Sequence, residues 1–193
     1  MKLKLLLVAM LPVMGLSGCA SGPSVEKQTA MAEDARKTAG ELVKQLGGEL
    51  KKSLEANGPE GSIAVCKEKA PAIAAALSKS SGFSVTRVSP KNRNPKGVPD
   101  AWEAAAQAKL EARLAAGEKP ETLEMWQVVD SAGYDKEFRY AKALVAQPLC
   151  LACHGENIGD GIKAKLAAEY PNDKATGYSA GMVRGIISIK RPM

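Results

Sequence analysis

The chain has 193 residues, of which 45% are hydrophobic and 25% are charged, and its formal net charge is +6. This length and this apolar content suffice for one folded domain with a hydrophobic core. The lysines are scattered along the chain and only 4% of the residues are aromatic, so the basic excess does not indicate a nucleic-acid-binding protein.

The N-terminus has the pattern of a secretory signal. Two lysines precede an apolar run over residues 5–16, which is shorter than the roughly 20 residues that a membrane-spanning helix needs. The run ends in Leu-Ser-Gly-Cys at Cys19, which resembles the lipobox of bacterial lipoproteins. Residues 1–18 are therefore predicted to be a signal peptide, Cys19 the lipidated first residue, and residues 19–24 a small and polar tether.

These features predict a protein of the bacterial cell envelope that is anchored to a membrane by lipid. Alanine, and not aspartate, follows Cys19, which in lipoproteins of this kind favours transport to the outer membrane. The protein is then expected to face the periplasm, and residues 25–193 are expected to form its folded domain.

Helical periodicity dominates the first part of this domain. Apolar residues recur at helical spacing over 25–54, and the glycine pair at 47–48 is expected to bend or split this long helix. The sequence Asn-Gly-Pro at 57–59 is expected to break it. A second helix is predicted over 62–78. Pro71 lies inside it and is expected to force a kink or a restart just after Cys66.

Strands dominate the rest of the domain. The capping-box pair Asp100 and Glu103 starts a further helix, which Gly117 ends. The other predicted elements are strands at 83–88, 123–130, 134–145 and 183–189, and a short helix at 162–170. Helices followed by antiparallel strands favour an α+β fold in which helices flank an antiparallel sheet.

The strongest functional signal is the sequence Cys-Leu-Ala-Cys-His at Cys150, Cys153 and His154. It is the attachment pattern of a c-type haem, in which both thiols bond to the haem vinyl groups and the histidine binds the iron. A zinc site that adds Cys66 to these residues, or a dithiol redox pair, is the alternative. Adjacent Cys153 and His154 are poor partners on one tetrahedral ion, and a redox pair needs no following histidine. One covalent haem c is therefore favoured.

The second axial ligand of that haem is left open by the residues themselves. His154 is the only histidine, so a second histidine from the same chain cannot bind the iron. The candidates are Cys66, a methionine, of which Met182 is the best placed, or an open site. The alternative for Cys66 is that it is a buried thiol with no chemical role, as free cysteines often are. From the residues alone, Cys66 and Met182 are about equal candidates.

Several motifs resemble, in the same order, those of a family of single-haem c-type cytochromes and sensors with a PAS-like fold. The similarity covers roughly residue 60 to the end and part of the first helix. The similar segments are 65–73, which contains Cys66, then 85–89, 92–95 and 99–103, the haem motif at 150–155, and finally 170–171, 175–178 and 184–188.

The resemblance implies a PAS-like antiparallel sheet flanked by helices over residues 25–193, with a long N-terminal helix. It also implies that His154 and Cys66 are the two axial ligands of one haem c, so that Cys66 is preferred to Met182. A thiolate ligand donates charge to the iron and favours its ferric state.

Other residues are predicted to contact the haem. Arg87, Arg93 and Arg184 are candidates for binding the haem propionates, because guanidinium groups bind carboxylates through two hydrogen bonds. Tyr178 is a candidate for covering the haem edge. Surface charge or a structural ion pair is the alternative for the three arginines.

The sequence thus predicts a redox or small-ligand sensor module or a one-electron carrier, acting with an unidentified redox or signalling protein. A thiolate ligand that can leave the haem iron when the iron is reduced favours a sensor. A single haem on a lipid-anchored protein favours an electron carrier. An enzyme is not expected, because no second histidine is available for acid–base chemistry beside the haem.

Overall fold

An antiparallel sheet forms the centre of the fold, which is given by a computed structural model that describes residues 23–193. The predicted signal peptide, Cys19 and most of the tether lie outside the described residues. The strands are β1 (Ser84–Val88), β2 (Glu124–Ser131), β3 (Tyr134–Val145) and β4 (Val183–Pro192). Their spatial order is β1-β4-β3-β2, so β4 lies inside the sheet. β4 is apolar on both faces, as expected of a strand that is covered on both sides.

Helices cover both faces of this sheet. They are α1 (Val25–Gly61), α2 (Ala70–Ser81), α3 (Ala101–Ala115), α4 (Leu151–His154) and α5 (Asp160–Glu169). On one face, Leu42 of α1 packs with Phe138 and Ile187. On the other face, Leu110 of α3 packs with Ile186. The predicted α+β class, the antiparallel sheet and the long N-terminal helix are confirmed. None of the helices within 23–193 is long and apolar enough to span a membrane.

The predicted interruption of α1 at residues 47–48 is wrong. α1 continues through both glycines, and its non-helical position is Gly58, which has φ 65° and precedes Pro59. A glycine keeps its backbone N–H donor and can remain helical. The residue before a proline is instead driven away from helical angles by the proline ring, and glycine accepts the left-handed conformation that results.

Cys66 lies on a π-helical turn, Val65–Lys69, which connects α1 to α2. Pro71 stands in the first turn of α2, where its missing N–H is not needed, and this confirms the predicted restart after Cys66. π-helical turns are rare in proteins, and those that occur are often found at functional sites. The sequence therefore presents Cys66 on an unusual piece of backbone.

The predicted capping box at the start of α3 is present and is tied to the sheet. The Asp100 carboxylate accepts a hydrogen bond from the Glu103 N–H at 2.9 Å, and the Glu103 carboxylate accepts one from the Asp100 N–H at 2.8 Å. Asp100 Oδ2 also lies 2.7 Å from Arg139 and 2.8 Å from Lys190. The Ser188 hydroxyl donates to Glu103 at 2.6 Å. This network fixes the N-terminus of α3 on β3 and β4.

Asp100→Ala is expected to lower the free energy of unfolding by about 1 kcal/mol at pH 7, the usual cost of losing a helix N-cap. Burial would raise the pKa of Asp100, but hydrogen bonds from Lys190, the Glu103 N–H and Arg139 lower it to about 2. Because this folded-state pKa is below its ordinary value, the carboxylate stabilises the fold above about pH 4. That contribution is lost as the pH falls towards 2.

Urea unfolding between pH 7 and pH 2 measures this effect. The difference between the wild type and Asp100→Ala should shrink as the pH falls below about 4. Asp130→Ala is the control, because Asp130 is 88% exposed and its ion pair with Lys136 lies at the surface. If Asp100→Ala lowers the free energy of unfolding by the same amount down to pH 2, the stabilising role of the Asp100 carboxylate is contradicted.

Candidate functional site

The segment with the predicted haem motif is a short helical turn that is fixed to a neighbouring loop. Cys153 and His154 lie on α4, and Gly155 follows it. A Cβ atom at Gly155 would lie 2.6 Å from the Leu151 carbonyl oxygen, so the chain needs glycine to turn there. The Tyr178 N–H donates to the His154 carbonyl and the Gly177 N–H to the Gly155 carbonyl, both at 2.9 Å.

The ring of His154 has a defined orientation and a defined tautomer. Its Nδ1 lies 2.7 Å from the Ala175 carbonyl oxygen. A carbonyl can only accept, so Nδ1 carries the proton and Nε2 keeps its lone pair. Burial, together with the nearby Arg184 and Arg93, lowers the pKa of His154 to about 2, so the ring is neutral. A neutral imidazole whose second nitrogen is held by a carbonyl is the form that binds metal ions.

A β-bulge brings Arg184 to this ring. In the pairing of β3 with β4, Val183 is opposite Val145 and Gly185 is opposite Leu144, so Arg184 is the extra residue. The Arg184 Nε lies 3.3 Å from Nε2 of His154 and can donate to it. Bulges beside functional sites commonly re-aim a side chain in this way.

Arg93 holds the attachment segment and the loop together. It is 6% exposed and forms an ion pair with Asp173 at 2.9 Å. The same guanidinium donates to the Cys153 carbonyl at 2.6 Å and to the Ala175 carbonyl at 3.3 Å. These contacts give Arg93 a scaffolding role, which is the structural ion pair that the sequence analysis offered as its alternative, and its predicted contact with a propionate stays a prediction.

Arg87 and Arg184 differ from Arg93 in having no acidic partner. Within the described residues, neither guanidinium forms an ion pair with a carboxylate, whereas Arg93 does. Burial lowers the pKa of both groups, and the nearby Cys66 sulphur acts in the opposite direction. Two enclosed cations without an anion favour a site for a negatively charged group.

Cys66 lies near the same site, because its charge affects the pKa of Cys153, Arg87 and Arg184. It is half-buried and forms no disulfide, and the same holds for Cys150 and Cys153. Burial raises the pKa of Cys153, the Arg93 guanidinium lowers it, and the charge of Cys66 adds to the rise. Met182, the other predicted ligand, is 46% exposed, and its sulphur accepts a hydrogen bond from the Ser179 N–H at 3.3 Å.

The turn that carries Cys66 is held against α5. Lys67 Nζ lies 2.5 Å from Glu169 Oε2, at a partly exposed position. Ile63 packs with Leu166 and Tyr170 in a small apolar cluster. Burial raises the pKa of Tyr170 to about 12, and Cys66 contributes to the rise. Tyr170 is a further residue of the site. The sequence analysis gave it no role and included it only in the segment 170–171 that resembles the haem family.

Tyr178 packs against the histidine. It is buried, its ring meets that of His154 edge to face with 6.5 Å between centroids, and its hydroxyl donates to the Arg184 carbonyl at 3.2 Å. Lys91 Nζ lies 4.5 Å from the centre of the Tyr178 ring. Tyr178 therefore supports the orientation of His154, and its predicted contact with the haem edge stays a prediction.

The sequence model of the Tll0287-like family matches residues 24–192. This chain belongs to the Tll0287-like family. The fold of this family member is similar to the crystal structure of the cyanobacterial haem protein Tll0287, with a TM-score of 0.62 and 20% sequence identity. The similarity covers 89% of this chain and 98% of that chain. No curated protein is significantly similar in sequence.

In this Tll0287-like chain, Arg93→Ala is expected to lower the free energy of unfolding by about 3 kcal/mol. The substitution leaves the carboxylate of Asp173 enclosed without its partner, which is the costly way to break a buried ion pair. Chemical denaturation measures the change. Arg191→Ala is the matched control, because Arg191 is exposed and its contact is with the ring of Phe83, at 5.6 Å, so its effect should stay within about 1 kcal/mol. Equal effects of the two substitutions would contradict the scaffolding role of Arg93.

Proposed function

We propose that this chain binds one haem c covalently through Cys150 and Cys153, with His154 as an axial ligand. The observation that carries the proposal is the hydrogen bond between His154 Nδ1 and the Ala175 carbonyl, which leaves the lone pair on Nε2. Nε2 faces into the site, where its partner is the long contact with Arg184 Nε at 3.3 Å, which a metal ion would replace. It stands in a Cys-x-x-Cys-His motif whose two thiols are free. The similarity to a cyanobacterial haem protein supports the same conclusion.

The charges around His154 fit the haem as a whole. Haem carries two propionates, and Arg87 and Arg184 are partly buried guanidinium groups near His154 that have no carboxylate partner within residues 23–193. Guanidinium binds a carboxylate through two parallel hydrogen bonds. Arg87 and Arg184 are therefore proposed to bind the propionates, while Arg93 holds the attachment segment.

Two observations disfavour the alternatives to haem, a zinc site and a dithiol redox pair. Over residues 23–193, no three His, Cys, Asp or Glu side chains are grouped closely enough to hold a metal ion, which argues against a zinc site. A redox-active dithiol needs a thiol with a lowered pKa. Burial instead raises the pKa of Cys153.

Cys66 is the proposed second axial ligand. Its sulphur lies close enough to Arg87, Arg184 and Cys153 to affect the pKa of all three groups. Met182 is a weaker candidate, because its sulphur is occupied by the Ser179 N–H and its side chain is exposed. When bound, the haem supplies one-electron redox chemistry and an iron whose potential depends on its axial ligands.

The π-helical turn at Cys66 favours a redox or small-ligand sensor as the role. One of its attachments is the ion pair of Lys67 with Glu169, which is partly exposed and therefore weak. A ligand on such a turn can leave the iron when the iron is reduced. A signalling partner and a lipid anchor at Cys19, in the outer membrane and facing the periplasm, are part of this proposal.

A one-electron carrier is the second candidate role, favoured by the tight fixation of His154 by the Ala175 carbonyl and Tyr178. It requires a redox protein as its partner. No enzymatic role is proposed, because the single histidine is used as a ligand and no second histidine is available for proton transfer.

Covalent attachment is tested by producing the protein together with a c-type haem maturation system. The haem should remain on the polypeptide during denaturing electrophoresis, and the double variant Cys150→Ala/Cys153→Ala should lose it. Cys66→Ala is the control, because it removes a thiol outside the motif and should keep the covalent haem. Absence of haem from the wild type would overturn the proposal.

Axial ligation is tested by absorption spectra of the ferric protein. Cys66→Ala should abolish the spectral signature of a thiolate ligand, because no other side chain supplies a thiolate to that position. Met182→Ala is the matched control and should leave the spectrum unchanged. The reverse pattern would assign the second ligand to Met182.

The same samples, reduced with dithionite and exposed to carbon monoxide, separate the two roles. A sensor should lose Cys66 ligation on reduction and bind carbon monoxide. A carrier should keep both axial ligands in both oxidation states and exclude the gas.

A further inference from the structure

We infer that Lys91 is a positioning residue for His154, because it fixes the loop and the aromatic ring that hold the imidazole. The inference rests on the proposed function, in which His154 binds the haem iron. It deepens that function by assigning the orientation of the imidazole in part to a side chain at the surface of the protein.

The segment that contains Lys91 lies alongside the loop that holds His154. The Asn92 carbonyl accepts a hydrogen bond from the Lys174 N–H at 3.1 Å. One residue earlier, the Lys91 ammonium donates to the Thr176 carbonyl. Two neighbouring residues of the segment thus bind two residues of the loop, and the side chain of Lys91 reaches the loop from a backbone that is itself held in place.

Lys91 acts on the two parts of the loop that contact the imidazole of His154. The Ala175 carbonyl lies 2.7 Å from Nδ1 of His154, and Ala175 directly precedes Thr176. The ring of Tyr178 meets the imidazole edge to face, and Lys91 Nζ lies 4.5 Å from the centre of that ring. One ammonium group therefore binds next to the carbonyl that orients the imidazole and on the ring that packs against it.

The loop turns closely around this ammonium. Gly177 has φ 71°, and a Cβ atom there would lie 3.7 Å from Lys91 Nζ. Glycine adopts this left-handed conformation without strain, and the residues on either side of it both contact the ammonium. A cation over the face of an aromatic ring is attracted to it electrostatically. The surroundings of Lys91 Nζ are therefore those of a bound cation and not those of a freely solvated lysine.

Lys91 differs from Arg93 in what its removal leaves behind. Arg93 is buried, and its removal leaves the Asp173 carboxylate enclosed without a partner. Lys91 is exposed, so its removal lets water reach the Thr176 carbonyl. An exposed cation–aromatic contact changes an equilibrium constant by about two- to fivefold. The loss of Lys91 should therefore loosen the loop without unfolding the protein.

A looser loop changes how the imidazole binds a metal ion. The hydrogen bond at the second nitrogen of a histidine ligand fixes its ring and makes it a stronger donor to the metal. When the loop loosens, the bond between Nδ1 of His154 and the Ala175 carbonyl weakens and the ring is free to rotate. Both changes alter the electronic environment of a metal ion on Nε2, which the spectrum of the ferric protein records.

The test combines amide hydrogen exchange with electron paramagnetic resonance of the ferric, haem-bearing protein. Lys91→Met keeps an unbranched stem and removes the ammonium. In this variant the Gly177 and Tyr178 amides, which donate to the attachment segment, should exchange about two- to fivefold faster, and the g values of the ferric signal should shift. Lys91→Arg should keep the wild-type values, because guanidinium also donates to carbonyls and stacks on aromatic rings. Lys96→Met is the matched control, since Lys96 is an exposed lysine of the same segment, and it should change neither measurement.

The results separate this inference from the proposed function. Unchanged exchange and unchanged g values in Lys91→Met, in protein that carries covalent haem, would overturn the inference and leave the haem attachment intact. Faster exchange with unchanged g values would show that Lys91 fixes the loop but not the histidine, which also overturns the inference. The same conclusion follows if the amides of β3 and β4 exchange faster to the same extent, because Lys91 would then act on overall stability. A wild type without haem would overturn the proposed function and the inference together.

Discussion

The hydrogen bond between His154 and the Ala175 carbonyl is the interaction on which the candidate site depends, because it decides which ring nitrogen is free. Its geometry is maintained by one enclosed guanidinium. Arg93 binds the carbonyls of both Cys153 and Ala175, and its partner Asp173 also accepts from the Ala175 N–H at 2.8 Å. The attachment segment and the loop beyond it therefore cannot move independently, and the orientation of the imidazole follows from their shared anchor.

The two sides of the site differ in stiffness. The His154 side is built from a buried ion pair, backbone bonds to the loop and the buried ring of Tyr178. The Cys66 side is built from a π-helical turn, a small apolar cluster and an ion pair that solvent can reach. In the proposed haem site, this arrangement would keep His154 in place and let Cys66 respond.

The sequence predicted the parts of the site that are encoded locally. The haem motif, the capping box at Asp100 and the restart at Pro71 each depend on residues a few positions apart. The position of Arg184 depends on the register between two strands, and the partner of Arg93 lies 80 residues away, so neither has a local signal. The break at Gly58, before Pro59, was also predicted from local sequence, whereas the glycine pair at 47–48 did not interrupt the helix.

The position of β4 has a consequence for the order in which the protein matures. β4 is the last strand in the chain, yet it lies between β1 and β3, and it pairs Ser84 with Lys190. Arg184 lies on β4, so the side of the candidate site that it forms is absent until β4 has paired with β1 and β3. The cysteines of the proposed attachment motif precede β4 in the chain, so a chain that emerges N-terminus first presents them before the sheet can close. The proposed covalent attachment would then take place on an open chain, and closure of the sheet would enclose the attached group.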